Sequence, residues 1–282
     1  MRTVMLPTGR QVAALGQGTW NIGEDATQRS AEVAALKLGI DLGMTLIDTA
    51  EMYAEGGAEQ VVGEAIRGRR DEVFIVSKVY PHNASPRGVA ATGERSLQRL
   101  GVEQIDLYLL HWRGDIPLQD TLGGFVRLRE QGKIGAFGVS NFDLDDMQEA
   151  AALPGGGAIA CNQVLYNLVK RAIEWDLLPW CRQKGIPVMA YSPLESSGCE
   201  RTRYLANAAL QSVAARHACS AAQVALAWVL REEGVIAIPK ATTTVHVREN
   251  RAALDLVLSQ ADLAELSRAF PAPTRKHALA MR

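Results

Sequence analysis

Apolar runs recur along this chain, and three of them close on a reactive polar residue. Thr45-Leu46-Ile47 ends at Asp48, with Tyr53 just beyond. Val73-Phe74-Ile75-Val76 leads through Ser77 to Lys78, and Ile105-Asp106-Leu107-Tyr108-Leu109-Leu110 ends at His111. These polar ends lie roughly 30 positions apart, the length of one βαβ unit. If the runs are parallel strands of one barrel, Asp48, Tyr53, Lys78 and His111 meet at a single face. That face is where such barrels do chemistry.

The rest of the pattern supports the barrel. Strands are expected around 15–18, 44–48, 73–78, 105–111, 135–140, 159–163, 187–191 and 235–239. Helical periodicity runs through 29–43, 58–67, 86–100, 118–132, 143–152, 175–184, 203–217 and 220–233. The strand segments are short and mostly unalternated, as strands buried on both faces should be. Gly43, Gly68, Gly101, Gly132 and Gly185 sit where helix C-caps belong. Pro86, Pro179 and Pro187 punctuate loops or element starts. Before all of these, Val4-Met5-Leu6 and Val12-Ala13-Ala14-Leu15 flank a Pro-Thr-Gly turn, a short hairpin. The expected fold is α/β, one (β/α)₈ TIM-barrel domain over residues 1–282 with an N-terminal β-hairpin. An open doubly wound sheet is the competing architecture. It wants a Gly-rich turn after its first strand, and Gly16-Gln17-Gly18-Thr19-Trp20 lacks the third glycine and the following helix. Residues 270–282 read as a short polar tail.

Composition narrows the function. The chain has 282 residues, 48% hydrophobic and 22% charged, and a net charge of −1. No bulk field draws nucleic acid or an anionic membrane to it. Cys161, Cys181, Cys199 and Cys219 form no C-x-x-C pair and suit reduced thiols in a cytosolic protein. The N-terminus has no secretory apolar core, and the longest apolar stretch, Ala221 to Leu230, is too short to span a bilayer. A cytoplasmic protein is expected, without nucleic-acid or membrane partners. Nothing marks a self-complementary patch, so a monomer or weak oligomer is expected.

The chemistry turns on Tyr53. A phenol titrates near pH ~10 in water, too high for efficient acid catalysis at neutral pH. A nearby ammonium lowers that value, a carboxylate holds the ammonium, and a histidine at the same mouth orients a carbonyl. Lys78, Asp48 and His111 complete this set. Each residue alone would be read as a packing or solvent contact; the joint pattern points to carbonyl protonation with a separate reductant. A metal-dependent barrel hydrolase would need several imidazoles and carboxylates around one ion. His82, His217, His246 and His277 offer no H-x-H or H-x-x-x-H, so no metal is expected.

Later strand ends are polar as well. Ser140 and Asn141 end the fifth strand and Gln163 the sixth, with groups that can hold a carboxamide. Tyr191 ends the seventh, where it can stack on a flat ring. Ile238-Pro239-Lys240 ends the eighth, and Ala241-Thr242-Thr243-Thr244 leads into a helix, together a possible phosphate site. The threonines alone read as an N-cap region. Gly155-Gly156-Gly157 lacks the frame of a phosphate loop and reads as a flexible connection.

In order and spacing, these residues resemble the aldo-keto reductases over nearly the whole length. The motifs are Gly16-x-Gly18-Thr19-Trp20, Asp48-Thr49-Ala50-x-x-Tyr53, Ser77-Lys78-Val79, Asp106-Leu107-Tyr108-Leu109-Leu110-His111-Trp112 and Gly138-Val139-Ser140-Asn141-Phe142. Asn162-Gln163, Tyr191-Ser192-Pro193-Leu194 and Ile238-Pro239-Lys240 with Glu249-Asn250 complete the set. The resemblance implies NADPH or NADP+ lying across the barrel top, with direct hydride transfer to an aldehyde or ketone. It implies Tyr53 as general acid, Lys78 and Asp48 as a relay lowering its pKa, and His111 orienting the carbonyl. Ser140, Asn141 and Gln163 would hold the carboxamide, and Tyr191 would stack under the ring. Gly18, Thr19, Trp20, Asp48, Ser192, Pro193, Leu194, Pro239, Lys240, Ala241, Thr242, His246, Glu249 and Asn250 would complete the cofactor site. Trp20 and Trp112, with Tyr53 and His111, would line the substrate pocket.

Within the family, the segment from Thr49 to Glu59 looks most like bacterial reductases of small 2-oxoaldehydes such as methylglyoxal. The short tail suggests an open pocket. Ala241 and His246 stand where many members have the Ser and Arg that secure the 2′-phosphate. NADPH is still expected, with a weakened preference, and NADH as a less favoured substitute. Glu195 and Glu200, in the loop from Glu195 to Arg201, put that loop's role as a cofactor cover in doubt. The alternative is a nicotinamide-binding regulatory protein resembling channel β-subunits. It would call for an added N-terminal segment, and this chain begins at the hairpin.

Overall fold

The computed structural model describes residues 2–195 and 198–282. An antiparallel hairpin comes first, β1 (Thr3–Met5) against β2 (Gln11–Ala13), in register at Val4 and Val12. An eight-stranded parallel sheet follows, its spatial order the same as its chain order. The strands are β3 (Gln17–Gly18), β4 (Leu46–Asp48), β5 (Phe74–Val79), β6 (Ile105–Leu110), β7 (Ile134–Ser140), β8 (Ile159–Leu165), β9 (Val188–Tyr191) and β10 (Val235–Ala237). At least one helix separates each consecutive pair. These are α1 (Arg29–Asp41), α2 (Gly57–Ala65), α3 (Pro86–Leu100), α4 (Leu118–Glu130), α5 (Leu144–Ala152) and α6 (Leu177–Lys184). Between β9 and β10 lie α7 (Gly198–Leu205), α8 (Ala208–Arg216) and α9 (Ala221–Leu230), and after β10 come α10 (Thr244–Ala252) and α11 (Gln260–Ala269).

The sheet closes on itself. Gly16 N donates to Ala237 O at 2.8 Å, Gly18 N to Pro239 O at 3.1 Å, and Ala237 N to Ala14 O at 2.9 Å. Closure explains the first glycine motif. A Cβ on Gly16 would lie 2.6 Å from a Leu46 methyl, and one on Gly18 would lie 2.7 Å from Ile238 O. Gly18 lets the first strand meet the end of the last, and Gly16 lets it lie against Leu46 of β4. The expected (β/α)₈ barrel is therefore the observed fold, with the hairpin as its N-terminal addition.

The apolar runs read from the sequence are buried on both sides: every residue of β5, β6 and β8 is buried. Gly43, Gly68, Gly101, Gly132 and Gly185 all take positive φ at or just past helix ends. Two helical expectations need correction. The single helix expected over 203–217 is two, parted where the Asn207 side chain caps α8 by accepting from Ala209 N. α11 was not anticipated. Ser259 and Asp262 form its capping box, yet Leu266 is its one buried apolar residue, so no apolar stripe announces it. Among the described residues no single helix is long and apolar enough to cross a membrane. Nor does any group of three or more His, Cys, Asp and Glu among them have the geometry to hold a metal ion.

Candidate active site

Parallel pairing brings the predicted quartet to one end of the barrel. Asp48 ends β4 opposite Val76 of β5, Lys78 pairs with Leu109 of β6, and His111 N donates to Val79 O. Lys78 is fully buried. Its Nζ donates to Asp48 Oδ2 at 2.8 Å, to Thr49 O at 2.8 Å and to Tyr53 Oη at 3.3 Å. An ammonium has three donors and no acceptor, so the three contacts satisfy it completely. The Tyr53 and His111 rings meet edge to face at 5.7 Å.

Tyr53 stands at the start of an unusual turn. Ala54 and Glu55 are left-handed (φ 49° and 53°) and Gly56 follows at φ 91°. Left-handed backbone with a Cβ costs about 1–2 kcal/mol per residue. Two such residues in a row beside a reactive group are strain held in place by the surroundings.

Burial sets the protonation states. It pushes the Tyr53 phenol well above its ordinary value, and the Asp48 charge adds to the rise. The expected lowering by Lys78 is thus not what the structure shows. Desolvation of the anion is the first cause of the rise and the Asp48 charge the second, although the ammonium lies 3.3 Å away. Desolvation also raises Asp48 and lowers Lys78, while their mutual attraction opposes both shifts. His111 is pushed well below the usual imidazole range, first by burial and then by the Lys78 charge. Tyr53 therefore stays protonated and His111 neutral across the neutral range. Turnover of an aldehyde, measured as kcat/KM, is expected to stay flat from about pH 6 to about pH 9. A break near the ordinary histidine value would show that His111 gains a proton there.

The amide cluster lies alongside. Ser140 of β7 pairs with Gln163 of β8. Asn141 Nδ2 donates to His111 O and Ser140 Oγ, while Tyr191 Oη donates to Asn141 Oδ1 at 2.8 Å. Gln163 Nε2 donates to Asp48 Oδ1 at 2.7 Å, tying this cluster to the quartet. Among the described residues, Gln163 Oε1 accepts no hydrogen bond.

Both clusters open into one cleft of about 470 Å³. Its lining includes Gly18, Thr19, Trp20, Asp48, Tyr53, His111, Trp112, Ser140, Asn141, Gln163, Tyr191, Ser192, Pro193, Leu194, Pro239, Lys240, Ala241, Thr242 and His246. Lys78 lies behind this surface. Residues 14–270 match the Aldo/keto reductase family. The chain belongs to that family. A methylglyoxal reductase, YeaE, of Escherichia coli (strain K12) is 57% identical over 95% of this chain and 94% of its own. An NADH-specific methylglyoxal reductase of the same organism is 31% identical over 89% and 92%. The crystal structure of an aldo-keto reductase from Klebsiella pneumoniae in complex with NADPH superposes with a TM-score of 0.97. It is 52% identical, covering 100% of this chain and 99% of that one.

Not every predicted residue of this aldo/keto reductase reaches the cleft. Glu249 and Asn250 are absent from its lining; they lie on α10 beyond His246, with Asn250 buried. Thr243 is the N-cap of α10, accepting from His246 N, which bears out the capping role. Other lining residues lie outside the predicted site set: Asn21, Met52, Ile238 and Arg282, while Glu195 and Arg201 bound the loop whose covering role the sequence puts in doubt. Asn21, Met52 and Ile238 adjoin predicted residues, so adjacency alone could have found them. Arg282 had no such signal. It donates to Glu195 at 2.9 Å and Glu200 at 2.8 Å, while Lys276 pairs with Asp145. The tail therefore lies along the molecule and adds the Arg282 side chain to the cleft wall. The two glutamates of the strand-7 loop share the single charge of Arg282, and of the two only Glu195 lines the cleft. Ser196 and Ser197 of that loop lie outside the described residues.

Proposed function

We propose that this protein reduces small aldehydes, 2-oxoaldehydes such as methylglyoxal foremost, to alcohols with NADPH. The observation that carries the reading is the Tyr53–Lys78–Asp48 chain, its lysine and aspartate buried and its phenol opening beside His111 into the cleft. The donor set suits a nicotinamide carboxamide. Ser140, Asn141 and Gln163 line the cleft together, with Gln163 Oε1 an acceptor unused among the described residues, and Tyr191 lines it as well. Lys240 is exposed at the far end, by the N-terminus of α10, where a phosphate would be held.

Bound NADPH supplies the hydride. Tyr53 Oη gives the carbonyl oxygen its proton. Lys78 Nζ steadies the phenolate that remains, and Asp48 keeps the ammonium in place. Neutral His111 holds the same carbonyl oxygen through a ring N–H and so fixes the attack geometry. Trp20 and Trp112 enclose the small substrate. Both Escherichia coli relatives are methylglyoxal reductases, which supports the substrate class.

Mixing the protein with methylglyoxal and following the reduced-nicotinamide absorbance tests the reading; cofactor binding without turnover of any aldehyde would overturn it. The same assay tests cofactor choice. His246 lacks the fork with which an arginine grips a phosphate. NADPH is expected to keep the higher kcat/KM, by a modest ratio. His246→Arg should raise the NADPH value about tenfold, the worth of one charge-assisted hydrogen bond. An equal or reversed NADPH to NADH ratio in the unaltered protein would refute the preference.

A further inference from the structure

One buried charge makes no hydrogen bond to the proton path. Glu59 of α2 is fully buried, and both of its oxygens are used. Oε1 accepts from Ser77 Oγ at 2.6 Å, and Oε2 accepts from Arg99 Nε at 2.6 Å. Ser77 immediately precedes Lys78 on β5, and Arg99 lies in the last turn of α3. The Arg99 side chain also crosses Gly56, the third left-handed residue of the Tyr53 turn. A Cβ there would sit 2.5 Å from both Cδ and Nε of Arg99. One carboxylate thus ties together the strand of Lys78, the helix α3 and the turn that begins at Tyr53.

We propose that the Glu59–Arg99 ion pair is a positioning device for the proton donor, pressing the Tyr53 turn into place and fixing Oη against Lys78. The proposal rests on the reading of Tyr53 as the acid. Three physical arguments support it. A buried ion pair is a poor source of net stability compared with apolar packing, so its presence calls for another role. A left-handed turn persists only where its surroundings over-determine it, and the Arg99 stem lies against Gly56 of that turn. The Tyr53–Lys78 contact, at 3.3 Å, is the longest of the three made by the ammonium and the one that a shift of the turn changes first. Glu59 and Arg99 touch neither substrate nor cofactor in this account; they act through Tyr53.

Two variants attack the clamp from opposite ends. Glu59→Gln/Arg99→Met removes both charges together, so neither is left buried and unpaired. Gly56→Ala keeps both charges and drives a methyl group into the Arg99 stem. The readout is the single-turnover rate of nicotinamide oxidation on mixing the enzyme–NADPH complex with saturating methylglyoxal. Rates are normalised to NADPH-binding sites, so that misfolded protein does not count. Both variants should lose about ten- to hundredfold in this rate, as a small misplacement of a reacting group does. NADPH affinity should stay within about twofold, and the solvent deuterium isotope effect should rise as proton delivery becomes limiting. Arg99→Lys, whose stem still crosses Gly56 and whose ammonium reaches Glu59, should recover most of the rate. Wild-type rates per binding site with an unchanged isotope effect, in either variant, would overturn the proposal. Full activity of Tyr53→Phe in the same assay would instead remove the reading of Tyr53 on which it stands.

Discussion

Tyr53→Phe is expected to lower kcat for methylglyoxal about a thousandfold, the scale of losing a positioned general acid. The change removes one oxygen and leaves the rest of the site intact. The ring keeps its edge contact with His111 and its place under the Lys78 ammonium, 4.8 Å from the ring centre. Lys78 loses its longest hydrogen bond but keeps Asp48 and Thr49. Stability should therefore fall by no more than about 1 kcal/mol, the usual net worth of one such bond. NADPH affinity should not change, because Tyr53 contributes no group to the carboxamide cluster. Steady-state kinetics beside a cofactor titration separate these effects. A variant within about tenfold of wild type would mean that another group protonates the carbonyl.

Lys78→Met should cost as much activity and, unlike the tyrosine change, much of the fold's stability. Asp48 would keep only the amide of Gln163 as a side-chain donor, with its carboxylate still enclosed. Breaking one half of a buried ion pair destabilises by about 3–5 kcal/mol. In a chain of this size that corresponds to roughly 10 °C in Tm. Burial already raises the Asp48 carboxyl above its unfolded value. A raised carboxyl binds its proton more tightly in the folded state, so the deficit should shrink as the pH is lowered toward the carboxylate range. The double variant Asp48→Asn/Lys78→Met should regain most of the stability and none of the activity. Thermal melts across pH, with turnover measured on the same samples, check both halves. A Lys78→Met protein as stable as wild type at neutral pH would contradict the buried-pair account.

The barrel and its quartet were legible because of how parallel strands are buried. A strand covered on both faces is a continuous apolar run, and its end shows as the first polar residue, as at Asp48 and His111. The hidden features depend on contacts distant in sequence or on backbone geometry. Arg282 reaches Glu195 and Glu200 across more than 80 positions, and nothing local marks that pairing. The break between α7 and α8 rests on one asparagine cap inside an unbroken helical pattern. The left-handed pair Ala54 and Glu55 contains no glycine to announce it. The direction of the Tyr53 shift was misjudged for a related reason. Spacing brings Lys78 to the phenol, but only the packed structure shows that the lysine is fully enclosed and the phenol half-buried at the cleft wall, where desolvation raises it.

The central claim is that a nicotinamide hydride passes directly to a carbonyl beside Tyr53. The most direct test uses NADPH with both C4 hydrogens of the nicotinamide replaced by deuterium, in ordinary water, with methylglyoxal as substrate. The account predicts one deuterium on the new carbinol carbon of the product and none on its oxygen after exchange. A carbinol carbon without deuterium, its new hydrogen drawn from solvent, would contradict it.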